Sequence, residues 1–394
     1  MNAQTKETGW AAGKIKPDQV QKYMPGGRCF INAQEIERCL QDNARPDPAR
    51  VRDIIAKSLA IRTLTPDETA LLLNTEDRGL RAEMEAAAGV VKKKVYDNRI
   101  VTFAPLYCSN LCANDCSYCG FRRSNPAIQR RRLTMEQIAA ETEVLAGKIG
   151  HKRLIVVFGE HPLSDTDYIA ATIENIMKVK VKTRRGYGQI RRCNVNAAPM
   201  SIEELRTLRE VGIGTYQVFQ ETYHPARYAE LHPAGTIKGN YLWRLYAMHR
   251  ALEAGCDDVG LGALFGLHDW KFEVMGLLHH ALDLESRFGI GPHTISFPRM
   301  EPAENTPLAV NAPCKVNDDD FRKLVTVIRL AVPYTGMILT ARENMVMRRA
   351  ILPLGCTQLD ASSRIGIGAY SASTPEQQGP KQQFILGDTR SLDN

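Results

Sequence analysis

The chain has 394 residues, 44% of them hydrophobic and 24% charged, which are the proportions of an ordinary globular protein and exclude a disordered or low-complexity one. With 51 Lys and Arg against 44 Asp and Glu the formal charge is +7, modest for this length, and no nucleic-acid module or aromatic interleaving accompanies it. No apolar run approaches the roughly 18 to 20 residues that cross a bilayer, and the N-terminus lacks the apolar stretch of a secretory signal, so a cytoplasmic protein with no membrane and no nucleic-acid partner is expected.

Up to about residue 98 the pattern is helical. It includes Pro48 to Leu59 and a capping box at Thr65-Pro66-Asp67-Glu68 ahead of an apolar run, and it predicts an N-terminal helical extension over residues 1–98. From Ile100 onward, short β-rich runs alternate with helical stretches. The candidate strands are Ile100 to Leu106, Arg153 to Phe158, Arg191 to Ala197, Thr215 to Phe219, Asp258 to Leu264, His293 to Pro298, Met337 to Ala341 and Cys356 to Ala361. Eight such units close a barrel, so the predicted fold is α/β, a (β/α)8 TIM-type barrel over residues 99–370. Capping boxes at Thr134 with Gln137 and Ser201 with Glu204, and a similar cap at Ser164 with Asp167, start helices between the strands. Apolar residues recur at helical spacing from Ile138 to Ile149 and from Phe321 to Val332. After Tyr370 the composition turns polar, then apolar again at Phe384 to Leu386, which predicts a C-terminal tail, residues 371–394, packed on the barrel.

A parallel barrel carries its chemistry on the loops at the C-terminal ends of its strands. Polar residues gather there. The second strand ends in Gly159-Glu160, and the third carries Asn194 and Asn196. The fourth ends in Gln220-Glu221-Thr222-Tyr223-His224, the sixth in Pro298-Arg299, the seventh in Arg342-Glu343 and the eighth in Ser362-Ser363-Arg364. The most basic pieces, Arg122, Arg123, Arg130 to Arg132 and the stretch from Lys178 to Arg192, are expected to be solvated loop or helix faces.

The first strand runs into Cys108-Ser-Asn-Leu-Cys112-Ala-Asn-Asp-Cys116-Ser-Tyr118-Cys119. Ten cysteines in a reducing compartment point to metal chemistry more than to disulfides. Three thiolates at CxxxCxxC spacing can hold three corners of a [4Fe-4S] cubane and leave the fourth iron open. That iron can chelate the amino and carboxylate groups of S-adenosylmethionine (SAM). Zinc is the weaker alternative, because no second pair of ligands completes a tetrahedral set. Cys108 is expected to be a small buried residue; as a fourth ligand it would close the cluster and make an electron-transfer protein.

CxxxCxxC with an aromatic residue before the last cysteine resembles the radical SAM superfamily. The segments TFAPLY, SNLCANDCSYCGF, FGEHP, VFQETYH, DDVGLGALFGL, SFPR and ILTARE are similar to its aromatic amino acid lyases, from about Phe30 to the C-terminus. That resemblance implies Cys112, Cys116 and Cys119 as cluster ligands. It implies Tyr118, Gly159, Glu160, Asn196, Gln220 and Glu221 around SAM, with Glu221 near its ribose or amine. Arg342 would bind the amino acid carboxylate, with Tyr107 and Ser363 bordering the amino group. The implied reaction is hydrogen abstraction from the amino group of L-tyrosine by a 5'-deoxyadenosyl radical, then Cα–Cβ cleavage to dehydroglycine (2-iminoacetate) and 4-methylphenol. Flavodoxin or ferredoxin would supply the electron, and a thiazole synthase of thiamine biosynthesis would accept the imine. A tryptophan lyase is the implied rival within the family.

Individual segments such as IRRCNVNAA and RLAVPYTG look closer to the branch that serves [FeFe]-hydrogenase maturation. After Cys119, however, only Cys193, Cys256, Cys314 and Cys356 remain, singly spaced, so no second cluster triplet is expected. Three positions depart from the family pattern: Cys108 and Cys356 replace aliphatic residues, and Arg299-Met300-Glu301 replaces Arg-Leu-Arg.

Overall fold

The structure, a computed structural model, describes residues 10–11, 13–184, 186–372 and 382–393. Among the described residues, four helices of nine residues or more precede the barrel: α1 (Ala33–Asp42), α2 (Pro48–Leu59), α3 (Pro66–Asn74) and α4 (Arg78–Tyr96). Each starts at a side-chain cap, from Asn32, Asp47, Thr65 and Asp77 respectively, and the capping box of Thr65 with Glu68 forms as expected. On α4 the buried residues Leu80, Met84, Ala87, Ala88 and Val91 recur every three or four positions and make one face. That face packs against α2 and against an outer helix of the barrel, α9 (Asp318–Ala331).

Eight parallel strands close the barrel, each beside its neighbour in sequence: β1 (Val101–Ser109), β2 (Arg153–Phe158), β3 (Arg192–Asn196), β4 (Tyr216–Gln217), β5 (Val259–Gly262), β6 (Thr294–Ser296), β7 (Gly336–Leu339) and β8 (Gln358–Asp360). Pairing of Val101 with Gln358 closes the circle. Every expected strand is present, and the later ones are shorter than expected. β4 keeps two residues because the chain soon turns at Glu221, which takes a left-handed φ of 73° and rejoins the sheet only through a bridge to Ala263. Outer helices α5 (Met135–Glu143), α6 (Thr166–Lys178), α7 (Ile202–Val211) and α8 (Trp270–Phe288) cover the sheet.

Strand alternation decides which side chains reach the interior. On β1, Phe103, Pro105 and Tyr107 line the central cavity, whereas Ala104, Leu106 and Cys108 enter the layer beneath the helices. Three expectations are corrected. Asp165, not Ser164, caps α6, because Ser164 closes a short 3₁₀ turn and the Asp165 carboxylate accepts the Tyr168 N–H. The run from Ile138 to Ile149 is not one regular helix; α5 ends at Glu143 and continues as a π-helical turn, Val144–Ile149. Part of the basic stretch after Lys178 pairs Val181–Thr183 with Gly186–Gly188 in a small antiparallel ladder.

The chain leaves the barrel at Tyr370, whose hydroxyl donates to the Pro105 carbonyl at 2.9 Å, while Glu141 accepts the N–H groups of Tyr370 and Ser371. Of the expected tail, residues 373–381 lie outside the described residues. Residues 382–393 cross the barrel mouth. Gly387 and Asp388 donate to the Ala341 carbonyl at 2.8 and 3.0 Å, and Asp388 forms a buried ion pair with Arg348 at 2.8 Å. Among the described residues no helix is long and apolar enough to cross a membrane.

One buried acid ties β4 to α8. Glu273 accepts the Tyr223 N–H at 2.7 Å and the Thr222 hydroxyl, and burial pushes its carboxyl up from 4.5 to about 8. Between those values the unfolded chain releases a proton that the folded chain keeps, so this group's contribution to stability falls as pH rises through that window. Glu273→Gln removes that dependence. Its thermal midpoint relative to the parent should therefore improve from about pH 5 to about pH 8 and level off above that, and parallel pH curves would contradict the assignment.

Candidate active site

The C-terminal ends of the strands surround one deep cavity, floored by apolar residues such as Phe103, Ile155, Val157 and Ile338. The loop after β1 forms its upper wall with Cys112, Cys116 and Cys119. Hydrogen bonds from one side chain and from the backbone hold that loop. The Arg130 guanidinium donates to the carbonyls of Asn110, Phe121 and Arg122, Ala113 N–H donates to the Glu160 carbonyl at 2.8 Å, and Gly159 N–H donates to the Ser109 carbonyl at 2.9 Å. Gly159 is required by contact rather than by torsion: a Cβ there would stand 2.1 Å from the Leu111 carbonyl oxygen. Burial first, and then the neighbouring Cys119, push the Cys112 thiol up to about 11. Cys116 rises to about 12, again through burial, with Lys238 opposing. The bare polypeptide therefore keeps these groups protonated, and a bound cation must make them thiolates.

Cys108 takes no part. It is fully buried on the opposite side of β1, in the main core, with its Sγ 3.6 Å from the Leu106 carbonyl. Cys356 is likewise buried, against the Ile351 carbonyl. All ten cysteines are free thiols.

A polar chain runs along one wall. Glu160 is buried; its Oε2 accepts from the Asn114 side chain at 2.5 Å, and its Oε1 has no hydrogen-bond partner. Burial raises its carboxyl, with Arg244 and Asn114 opposing. Asn114 Oδ1 accepts the Lys238 N–H at 3.0 Å. Lys238 Nζ and Arg244 Nη2 reach Glu221 Oε1 at 2.7 and 3.2 Å. Burial would raise Glu221, but the two cations outweigh it and hold the carboxylate below its usual range. Tyr118 hydrogen-bonds His232 Nε2 at 2.9 Å, and His232 is held down to about 3 by burial and by Lys238, so it is neutral.

The opposite wall is cationic. Arg342, past the end of β7, lines the cavity with its guanidinium centre 3.4 Å from the Phe384 ring centroid. Among the described residues it has no carboxylate partner, while burial lowers it and Tyr107, Glu221 and Glu301 oppose that shift. Tyr107 donates to Gln383 Oε1 at 2.8 Å. Asn196 and Glu301 also line the cavity.

Two expected residues lie elsewhere. Gln217, Phe219 and Glu221 face the cavity, and the same alternation turns Gln220 away from it, buried with both amide atoms unpartnered. Ser363 stands behind the wall and donates to Asp360 Oδ2 at 2.8 Å; Asp360 itself lines the cavity. Among the other polar strand ends, Asn194 accepts the Thr215 N–H, and Arg299 is drawn to Glu343 and to Asp318. Sequence reasoning missed Asn114, Lys238, Arg244, Asp360, Gln383 and Phe384. Asn114 lay inside the cysteine motif, Asp360 in the last expected strand and Phe384 in the apolar end of the tail, whereas Lys238, Arg244 and Gln383 had no such signal.

A model of the Radical SAM superfamily matches residues 106–279, and one of the Biotin and Thiamin Synthesis associated domain matches residues 296–394. Over 341 residues the chain is 31% identical to 2-iminoacetate synthase of Escherichia coli (strain K12), covering 85% of this chain and 84% of that enzyme. It is similar to the crystal structure of HydG, a maturase of the [FeFe]-hydrogenase, with a TM-score of 0.86 and 47% sequence identity over 92% of this chain and 77% of that one. The X-ray structure of HydG from Carboxydothermus hydrogenoformans gives a TM-score of 0.79 and 38% identity over 95% and 81% of the two chains.

The geometry predicts an ordering of variants. After anaerobic reconstitution with iron and sulfide, Cys116→Ala and Gly159→Ala should retain clearly less iron per chain than the parent, while Cys108→Ser retains the full amount. Loss of iron from Cys108→Ser would show that the ligand set is misassigned.

Proposed function

The chain belongs to the radical SAM superfamily, and from that membership we propose that it is a tyrosine lyase, a 2-iminoacetate synthase that cleaves the Cα–Cβ bond of L-tyrosine to dehydroglycine and 4-methylphenol. The family implies a [4Fe-4S] cluster and SAM, and the residues fit both: three thiols share one loop at the cavity wall, and the buried Glu160 oxygen has no partner of its own. Cys112, Cys116 and Cys119 would hold the cluster, and Glu160, Asn196 and Tyr118 would bound the SAM site, with Gly159 admitting the loop. The bound group supplies a 5'-deoxyadenosyl radical, the hydrogen-atom acceptor. Everything else falls to the polypeptide.

The observation that carries the substrate assignment is the Arg342 guanidinium, half-buried at the cavity wall without a carboxylate partner among the described residues. A planar fork of this kind accepts an amino acid carboxylate through two parallel hydrogen bonds, and the missing partner is the substrate's. Tyr107 lies beside it, and Asp360 Oδ1, which faces Arg348 Nη2 at 3.5 Å, has no hydrogen-bond donor of its own, so the substrate amine can be held between Tyr107 and Asp360; Ser363 acts through Asp360. Glu221 is already neutralised by Lys238 and Arg244, so its role is to hold those two cations in place beside the SAM site. The apolar floor excludes water and stray hydrogen donors from the radical. Positioning of the amine within about 3 to 3.5 Å of its acceptor is the protein's main contribution to rate.

The higher identity to the HydG structures supports a maturase-like framework for this tyrosine cleavage. We place the enzyme in the cytoplasm, where ten free thiols persist. Flavodoxin or ferredoxin is the proposed electron donor, and a thiazole synthase the proposed acceptor of the imine.

Anaerobic turnover with each aromatic amino acid tests this reading. It predicts 4-methylphenol from tyrosine, and an indole acid from tryptophan alone would overturn it. Arg342→Lys should weaken tyrosine binding by about tenfold or more, as loss of a bidentate charged pair implies, and leave SAM binding near that of the parent. Equal loss of both would contradict the carboxylate role.

A further inference from the structure

We propose that the segment Gln383–Leu386 belongs to the amino acid site itself, with Phe384 setting the plane of the Arg342 guanidinium and Gln383 joining Tyr107 to the cysteine loop. This inference rests on the lyase reading and adds positioning residues to it.

Gln383, Phe384 and Leu386 line the cavity, while Ile385 is 60% exposed. Three backbone contacts set its register. Ile385 N–H donates to the Pro302 carbonyl at 3.0 Å, and the N–H groups of Gly387 and Asp388 converge on the carbonyl of Ala341, the residue just before Arg342. Phe384 is thereby tied to the backbone that carries the arginine. Two glycines allow the approach. A Cβ on Gly387 would lie 2.4 Å from the Arg342 carbonyl oxygen, and one on Gly120, directly after Cys119, would lie 2.7 Å from the Gln383 carbonyl oxygen. Close backbone contact on both sides is the mark of a built wall rather than of a loosely draped tail.

The chemistry at each contact is specific. The guanidinium carbon lies 3.4 Å over the ring centroid, and a guanidinium resting its face on an aromatic ring keeps its N–H edges free, because the donors lie in its plane. The ring therefore orients the fork for a carboxylate without competing for it. Gln383 uses both ends of its amide: Oε1 accepts from the Tyr107 hydroxyl at 2.8 Å, and Nε2 donates to the Cys119 sulfur at 3.7 Å. One side chain thus couples the substrate wall to a cluster ligand, and hydrogen bonds to ligand sulfur tune the potential of such clusters.

The test uses the reconstituted full chain, with equilibrium binding of tyrosine, tryptophan and SAM measured separately. Phe384→Leu should weaken the bound amino acid about tenfold, the size of a partly desolvated cation–π contact, with SAM affinity within about twofold of the parent, and Phe384→Trp should recover most of the loss. Parent-like amino acid binding in Phe384→Leu, or equal loss of SAM, overturns the Phe384 role. Gln383→Leu should lower the cluster's reduction potential with no amino acid present, and an unchanged potential overturns the Gln383 role. Should the parent bind tryptophan but not tyrosine, the substrate reading fails, while a loss of tryptophan affinity in Phe384→Leu upholds the wall. A parent that binds neither overturns both.

Discussion

The structure is organised around polar groups that are buried before they have partners. An unpaired carboxylate oxygen on Glu160, a guanidinium on Arg342 with no acid partner among the described residues, and the Cys112 and Cys116 thiols, which burial keeps protonated, all face one cavity. Each costs stability, on the order of 1 to 3 kcal/mol for a buried polar group left unsatisfied. Gathered around one cavity, they are the groups that the proposed cluster, SAM and amino acid would complete. The surrounding fold serves to hold them there. Arg130 clasps the cysteine loop through carbonyls, Gly159 lets the loop approach β2, and Phe384 faces the arginine.

Beside these open groups stands a set that is already satisfied. Glu221, Lys238 and Arg244 neutralise one another, and Asn114 links them to Glu160. The contrast separates roles. Satisfied ion pairs give the wall its shape, whereas the unsatisfied groups mark where a ligand docks. His232 shows the same economy: held neutral, it can pair with the Tyr118 hydroxyl without adding charge beside the cysteines.

The barrel was legible because short β-rich runs with polar ends alternate with helical stretches, and because the capping boxes at Thr65, Thr134 and Ser201 form as their residue types imply. Local signals of that kind survive without knowledge of the fold. What escaped depended on tertiary placement. Gln220 shares a segment with Glu221, but strand alternation sends the two side chains to opposite faces, and only the register decides which faces inward. Lys238 lies on a short 3₁₀ turn and Arg244 on a five-residue helix, where a cation has no pattern to distinguish it from a solvated one. Asp165 displaced Ser164 as a cap because two adjacent residues were both competent and the preceding turn chose between them. Phe384 could be read as apolar surface laid on the barrel, but its partner lies 42 positions away in sequence and becomes visible only when the mouth is assembled.

Three side chains are proposed to hold the cluster, and Cys108 points into the core on the far side of β1. The most direct test is the electron paramagnetic resonance spectrum of the reduced, reconstituted protein before and after SAM is added. An iron left open to the ligand predicts a changed signal on addition. Superimposable spectra, in material shown to contain iron and sulfide, would mean that the polypeptide closes the cluster itself.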